Sequence, residues 1–568
     1  MRTSHKVLTA LVPLAALLAA CGHNTQDAQG AKNSTAAFDP ATCQGGTLRV
    51  LNQGDLTHYD PARLYTSGGG KIPTLLFRTL TTRNRVPGPD STKVVPDLAT
   101  DVGTPSDDAK TWTYHLKDGL KFEDGTPITS ADIKYGIERS FAPELPGGAP
   151  YLRDWLKDAQ NYGGPYKDGE LSSIETPDDK TIIFKLRKPE GEFPYLATAT
   201  QFAPVPKAKD TGVDYEKHPI SSGPYKVESF DQSKHLVLVR NDNWSRQIDD
   251  QRLACPDRIE VTAGLDPAVV NQRLATGAGD DANAATTDVN LGPAELARLG
   301  SDPQLAAHVA HTHFGDTTYL AFNPKVKPFD DIKVREAISY AVNRQTVINA
   351  VGGSQLADPA TTFLPDQAVF GYQPYDHFPA GPTGDPAKAK ELLAQAGYPN
   401  GLTITLTHST AQSGHGPGVA TAIQDALKQA GITVNLEPLD PDSFDAKVNT
   451  PATEPGLSID GWGADWPSGN PFLAPIFDGR QIIKSGGNFN LAQYDNPEVN
   501  DEIDAINKLT DPAAAAKRWG ALDEKIGKEA LTVPLYHSKD LLLFGKNVKN
   551  AWVSDWNGLY DLSVMSVK

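Results

Sequence analysis

Few residues in this chain are placed to do chemistry, and Cys21 stands first among them. It ends Leu18-Ala19-Ala20-Cys21, behind a positive start (Arg2, Lys6) and a short apolar run from Leu8 to Ala20. A secretory signal has this layout. The small residues suit a signal peptidase, and the thiol is able to accept a diacylglycerol. An ordinary cleaved signal with an incidental cysteine is the alternative. The apolar run falls short of the ~20 residues a membrane span needs. Cys43 and Cys255 are the other two thiols. Outside the cell an even remaining pair suggests one disulfide, tying the start of the fold to a strand near Arg258. Two unpaired thiols are the other possibility. Two cysteines are too few for a structural zinc site of their own.

Other candidate chemistry thins out on inspection. His311 and His313 are two residues apart, so a strand would set both on one face, where they could grip a metal. No nearby Cys or Glu completes a set. Ser67-Gly68-Gly69-Gly70-Lys71 lacks the earlier glycine and the following Ser or Thr of a phosphate loop, and reads as a flexible turn. Acidic pairs such as Asp107-Asp108 and Asp280-Asp281 sit in turn-like sequence. No G-x-S-x-G elbow and no H-E-x-x-H occurs. The expectation is a non-enzyme without metal or cofactor.

The elements that must position any site are plainer. Asn24 to Ala41 is rich in Gln, Ala, Asn, Ser and Thr, so 21–44 reads as a tether after a signal at 1–20. A first strand is expected at Gly45–Leu51. Trp112 to Leu116 alternates as a half-buried strand does. Thr129 and Asp132 have capping-box spacing at a helix start. Asp330 is expected to cap a helix carrying Val334, Ala337, Ile338 and Ala341 at helical spacing. Asp385-Pro386 starts another helix and Gly397 ends it. Leu402, Ile404 and Leu406 alternate, Val419 to Ala430 reads as a helix closed by Gly431, and Ile432, Val434 and Leu436 alternate again. That order is a βαβ unit.

Composition narrows the function. The chain has 568 residues and a net charge of −17, enough for two or more domains at ~100–200 residues each. Nucleic-acid binders are usually basic, so no nucleic-acid partner is expected.

Several stretches together resemble a known family. They are GGTLRVL with Tyr59-Asp60-Pro61, then VVPDLATDVGTPSDDAKTWTYHLKDGLKFEDGTPITSADIKYGIERS, then SSGPYKV and NDNW. YLAFNPKVKPFDDIKVREAISYAVNR, DPAKAKELLAQAGY, GWGADWPSGNPFLA and VPLYH follow in order. The pattern resembles extracytoplasmic solute-binding proteins of family 5, the dipeptide- and oligopeptide-binding lipoproteins of ABC transporters. The start of the chain likewise resembles their lipobox, with Cys21 as the lipidated residue. The resemblance implies an α/β, two-lobed, periplasmic-binding-protein-like clamshell of type II, with an extra subdomain on lobe I. Lobe I would be 45–84, 219–322 and 537–568, the extra subdomain 85–218, and lobe II 323–536.

The resemblance also implies a site. In this family an aspartate in a Trp-x-x-Asp segment meets the peptide's protonated amino terminus, and the pattern falls on Trp462 to Asp465. An amine of pKa roughly 7.7–8.0 is mostly cationic at pH 7, and a buried cleft needs an anion to satisfy it. A turn or capping aspartate before Pro467 is the plainer reading of Asp465. The backbone of Gly461 to Gly463 would pair with the peptide as an added strand does. The loop Tyr65, Thr66, Ser67, Gly68 falls where the family has a second backbone-binding loop. Trp462 and Trp466 would line side-chain pockets or belong to the core. Arg480 and Lys484 are candidates to meet a peptide carboxylate. The implied protein is a monomer anchored by lipid to the outer face of the plasma membrane, capturing short peptides for a membrane permease. A non-peptide solute such as a nickel complex, sugar or opine is the first alternative. An exported hydrolase or surface factor on the same fold is the second.

Overall fold

Leu48 and Val50 are fully buried while Thr47 and Arg49 are not. That alternation makes the first strand of the fold. The computed structural model describes residues 39–568 apart from 55, 57, 66–71, 314, 412–415, 555 and 559. Cys21, Thr66, Ser67 and Gly68 therefore lie outside the described residues.

The strands in chain order begin with β1 (Thr47–Leu51), β2 (Thr81–Arg83) and β3 (Val94–Pro96). Then come β4 (Thr104–Pro105), β5 (Thr111–His115), β6 (Ile174–Asp178) and β7 (Thr181–Lys185). β8 (Tyr225–Asp231), β9 (His235–Arg240), β10 (Arg258–Thr262) and β11 (Ala284–Asn290) follow. β12 (Val309–His313), β13 (Asp316–Phe322) and β14 (Ala357–Pro359) lead into the last third. It holds β15 (Leu402–Ser409), β16 (Ile432–Leu439), β17 (Leu457–Gly463) and β18 (Thr532–Phe544).

Among the described residues the long sheet runs β16-β15-β17-β13-β18-β11-β1-β10-β9-β8, with β12 and β14 also on β18. β1 lies parallel to β10 on one side and β11 on the other. Parallel neighbours require crossovers, as in α/β folds. The thirteen-residue β18 serves two halves of this sheet. Its first part pairs with β13 and β14, its last part with β11 and β12. Where the chain crosses, the half-buried Asp316 carboxylate accepts the Ser538 N–H at 3.0 Å and its hydroxyl at 2.9 Å.

The apolar interiors divide in the same way. One core joins β1 and β8–β10 to Leu562 and Met565 near the C-terminus. A second fills the small sheet β4-β5-β7-β6 and the helix Ser130–Arg139. A third packs β13 and β15–β17 against helices at Ile332–Ala341, Pro386–Gln395 and Pro417–Gln429. A fourth surrounds helices Asn470–Phe477, Pro497–Asn507 and Pro512–Gly527.

Local signals land where the physics puts them. Thr129 and Asp132 form a reciprocal capping box. Asp385 caps the helix that opens with Pro386. Gly397 and Gly431 take φ of 90° and 81° just past helix ends, a left-handed backbone that glycine adopts without strain. β15 and β16 are parallel in register from Leu402↔Ile432, closing the βαβ unit. One boundary moves. Asp331, not Asp330, caps the next helix, because its carboxylate reaches the Lys333 N–H. Cys43 and Cys255 are disulfide-bonded at 2.02 Å, beside the β1–β10 pair. They are 212 positions apart, for which a chain-entropy estimate is on the order of 5 kcal/mol.

Candidate functional site

β17 ends at Gly463, and its edge is held by β13 through Asp316↔Gly463 and Thr318↔Gly461. The Ala464 N–H then bonds the Gly315 carbonyl at 3.1 Å. This fixed strand end delivers Asp465 into a cavity of about 280 Å³. Tyr65, Arg83, Tyr151, Tyr195, Trp466 and Trp556 are among its walls.

Asp465 Oδ2 accepts the Tyr65 hydroxyl at 3.0 Å and the Tyr151 hydroxyl. Burial pushes its pKa up; the two hydroxyls and the nearby Arg83 pull it back. The carboxylate forms no ion pair among the described residues. An anion at a cavity wall, met by neutral donors alone, is suited to a cation from outside the chain.

Arg83 ends β2 on the facing wall. One of its terminal N–H groups reaches the Asp465 carbonyl at 3.3 Å, and its guanidinium carbon lies 3.5 Å from the Trp556 ring centroid. Its Nε has no partner among the described residues. Burial lowers its pKa. Its neighbour Arg85 is instead ion-paired to Asp561.

Behind Asp465, Trp466 is buried against Tyr151 and Trp155. Its indole N–H donates to Glu192. The same carboxylate accepts the Ser468 hydroxyl and the Trp519 indole N–H. Gly191 donates to the Asn507 carbonyl at 2.6 Å, and an added Cβ there would meet the Leu509 carbonyl at 1.9 Å. The segment 191–192 thus docks closely on the 466–519 region.

The expected residues separate accordingly. Tyr65, Asp465 and Trp466 meet at the cavity, with Trp466 serving core and wall together. Trp462 turns away: its indole bonds the Pro471 carbonyl and packs on Phe489 at 4.7 Å. Gly461 and Gly463 stand in β17 and do not line the cavity. Beyond Ser458 the β17 edge opposite β13 pairs with no strand among the described residues. Arg480 is closed by Asp478 and Asp504, Lys484 is exposed, and neither reaches the cavity. His313 faces Asp366 at 3.7 Å and Asp358 at 3.9 Å, where the Lys539 ammonium, 2.5 Å from Asp358, already supplies a cation. His311 stays outside that group. Tyr151, Arg83 and Glu192 carried no local signal, since nothing in their own neighbourhoods sets them apart from core and surface residues.

The profile of the bacterial extracellular solute-binding proteins, family 5, matches residues 93–483. The chain belongs to that family. This family-5 protein is an extracytoplasmic solute-binding protein of the ABC-transporter type, and not an enzyme. It is 28% identical over 477 residues to the glutathione-binding protein GsiB of Salmonella paratyphi A, covering 82% of this chain and 85% of that one. A solved structure, the clavulanic acid biosynthesis oligopeptide binding protein 2, is 38% identical with a TM-score of 0.86, over 92% and 95% of the two chains. The Helicobacter pylori periplasmic binding protein DppA, solved with the peptide STSA, shares the fold at a TM-score of 0.69 and 22% identity, over 92% and 98%. These neighbours are two-lobed binding proteins, and the sheet of this family-5 chain, divided along β18, has the same clamshell architecture. No described helix is long and apolar enough to cross a membrane.

Proposed function

We propose that this protein captures short peptides by their protonated amino terminus in the cavity at Asp465 and delivers them to an ABC permease. The observation that carries the reading is the Asp465 carboxylate, desolvated at the cavity wall and met by the hydroxyls of Tyr65 and Tyr151 instead of a cation. A ligand ammonium completes that group. Similarity to an oligopeptide-binding protein and to a glutathione-binding protein, whose ligand also carries a free amine, supports it. The cavity walls come from the segments assigned to lobe I (45–84, 219–322, 537–568), its subdomain (85–218) and lobe II (323–536), so lobe closure would form the site. Cys21 would carry the lipid that holds the protein at the outer face of the membrane, as a monomer.

Calorimetry tests the anchor with wild type and Asp465→Asn, each against a free and an amino-acetylated peptide. Losing one partner of a buried charge pair costs about 2–5 kcal/mol, roughly 30-fold to several thousand-fold in affinity. The two changes are expected not to add, because either alone breaks the pair. Acetylated peptide binding wild type as tightly as free peptide would reject the reading.

A further inference from the structure

Most arginines of the interior are held by carboxylates or several carbonyls, and Arg85, whose Nε like that of Arg83 has no partner among the described residues, is still ion-paired to Asp561. Arg78 and Arg252 share Asp97 and Asp249, and Arg139 is forked onto Asp60. Arg335 is held by three main-chain carbonyls and Arg344 by two. Arg83 has a single carbonyl at 3.3 Å, an unpartnered Nε, and no ion pair among the described residues. Trp556 supports one face of its guanidinium, which lines the cavity, so the plane is fixed while Nη1 makes no hydrogen bond among the described residues. A preorganised guanidinium edge at a cavity wall is suited to a carboxylate, which it binds with two parallel N–H groups.

We propose that Arg83 is a second charged ligand group, and that the cavity takes an α-amino-acid head: an ammonium on Asp465 and a carboxylate, carried on the same carbon, on Arg83. This rests on the reading of Asp465 as the ammonium anchor. Arg83 touches the main-chain oxygen of Asp465 itself, so the anionic and cationic positions lie within one residue of each other. A ligand answering both must bear its two charges close together. An ordinary α-peptide does not. Its first residue offers a neutral amide oxygen where the carboxylate would sit, and its carboxylate lies at the far end. A free amino acid does, and so does a peptide linked through a side chain, such as a γ-glutamyl peptide. The cavity, about 280 Å³, is at the small end of ligand sites and suits such a compact head.

The isomers γ-Glu-Leu and α-Glu-Leu have the same atoms and net charge, but only the γ-isomer keeps a carboxylate on the carbon that bears the amine. Titrated into the full mature protein, the γ-isomer is expected to bind at least about tenfold tighter, since charged hydrogen bonds are roughly twice as strong as neutral ones. In Arg83→Gln that preference should fall close to unity, and Arg83→Lys should restore part of it. Equal affinity for the isomers in wild type, a preference that survives R83Q, or no binding of γ-Glu-Leu at millimolar concentration would each overturn the proposal. Two modified γ-isomers on wild type keep the test independent of how the variants fold. Esterifying the glutamyl α-carboxylate, with the leucyl carboxylate left free, removes the group meant for Arg83, and acetylating the amine removes the group meant for Asp465. Loss on acetylation without loss on esterification overturns the Arg83 proposal and leaves the amine anchor standing. Loss on esterification without loss on acetylation overturns the amine anchor, and with it the two-charge head. Loss on both is the expected result.

Discussion

At the scale of a residue, Asp465 makes binding depend on pH at both ends. The charged and titratable groups facing it are Tyr65, Tyr151 and Arg83. Burial raises its pKa in the empty cleft, and a bound ammonium favours the ionised form. Affinity therefore falls as pH drops through the empty-cleft value, where a proton must leave before the ligand pairs. It also falls in alkali, as an amine of pKa roughly 7.7–8.0 loses its charge. The sign for folding is opposite. A carboxyl whose pKa is raised on folding adds stability as pH falls through the folded value and loses it as pH rises. The empty protein should thus gain from Asp465 in mild acid while binding weakens. Isothermal titration across pH 4–9 checks this; an acid limb that persists unchanged in Asp465→Asn would assign it to another group.

At the scale of elements, the docking of segment 191–192 on the region around Trp466 matters most. Glu192 gathers three donors from residues 274, 276 and 327 positions away, and one belongs to the residue next to Asp465. Removing it leaves buried donors unpaired, at about 1–3 kcal/mol each. Glu192→Ala is expected to raise the ligand dissociation rate by at least about tenfold with the amine requirement intact, and Glu192→Gln, which keeps one acceptor, by less. Stopped-flow dissociation reads this out. A lowered melting temperature with an unchanged dissociation rate would make Glu192 a fold-stabilising residue and no latch.

At the scale of the whole molecule, the cavity exists only where distant segments meet, so ligand should favour the compact state. Small-angle scattering is expected to show a smaller radius of gyration at saturation with a binding peptide. An identical radius at confirmed saturation would contradict closure. Attachment is a separate matter, legible only in Leu18-Ala19-Ala20-Cys21. Cys21→Ser should release the protein to the medium or leave an unprocessed precursor. A processed mutant still in the membrane fraction would exclude lipid on Cys21.

Much of the fold was readable along the chain, because alternation, caps and turn glycines act over a few residues. The strand at β1, the capping box at Thr129, the Asp385-Pro386 start and the βαβ unit from Leu402 all follow from side-chain periodicity and backbone geometry. Resemblance in ordered motifs indicated the family and pointed to Asp465. Which tryptophan of Trp462 and Trp466 faces the cavity was not legible, since both flank the same strand end and only their partners, Phe489 and Glu192, differ. The resemblance named Tyr65 for the site, but that Asp465 would meet Tyr65, Tyr151 and Arg83 was out of reach. Tyr65, Tyr151 and Arg83 are 400, 314 and 382 positions from it in sequence. No local period relates residues so far apart. Their convergence is decided by how separate cores pack across β18, and only the tertiary structure shows that Asp465 has hydroxyls for company, that Arg83 has no ion pair among the described residues, and that Glu192 has three donors.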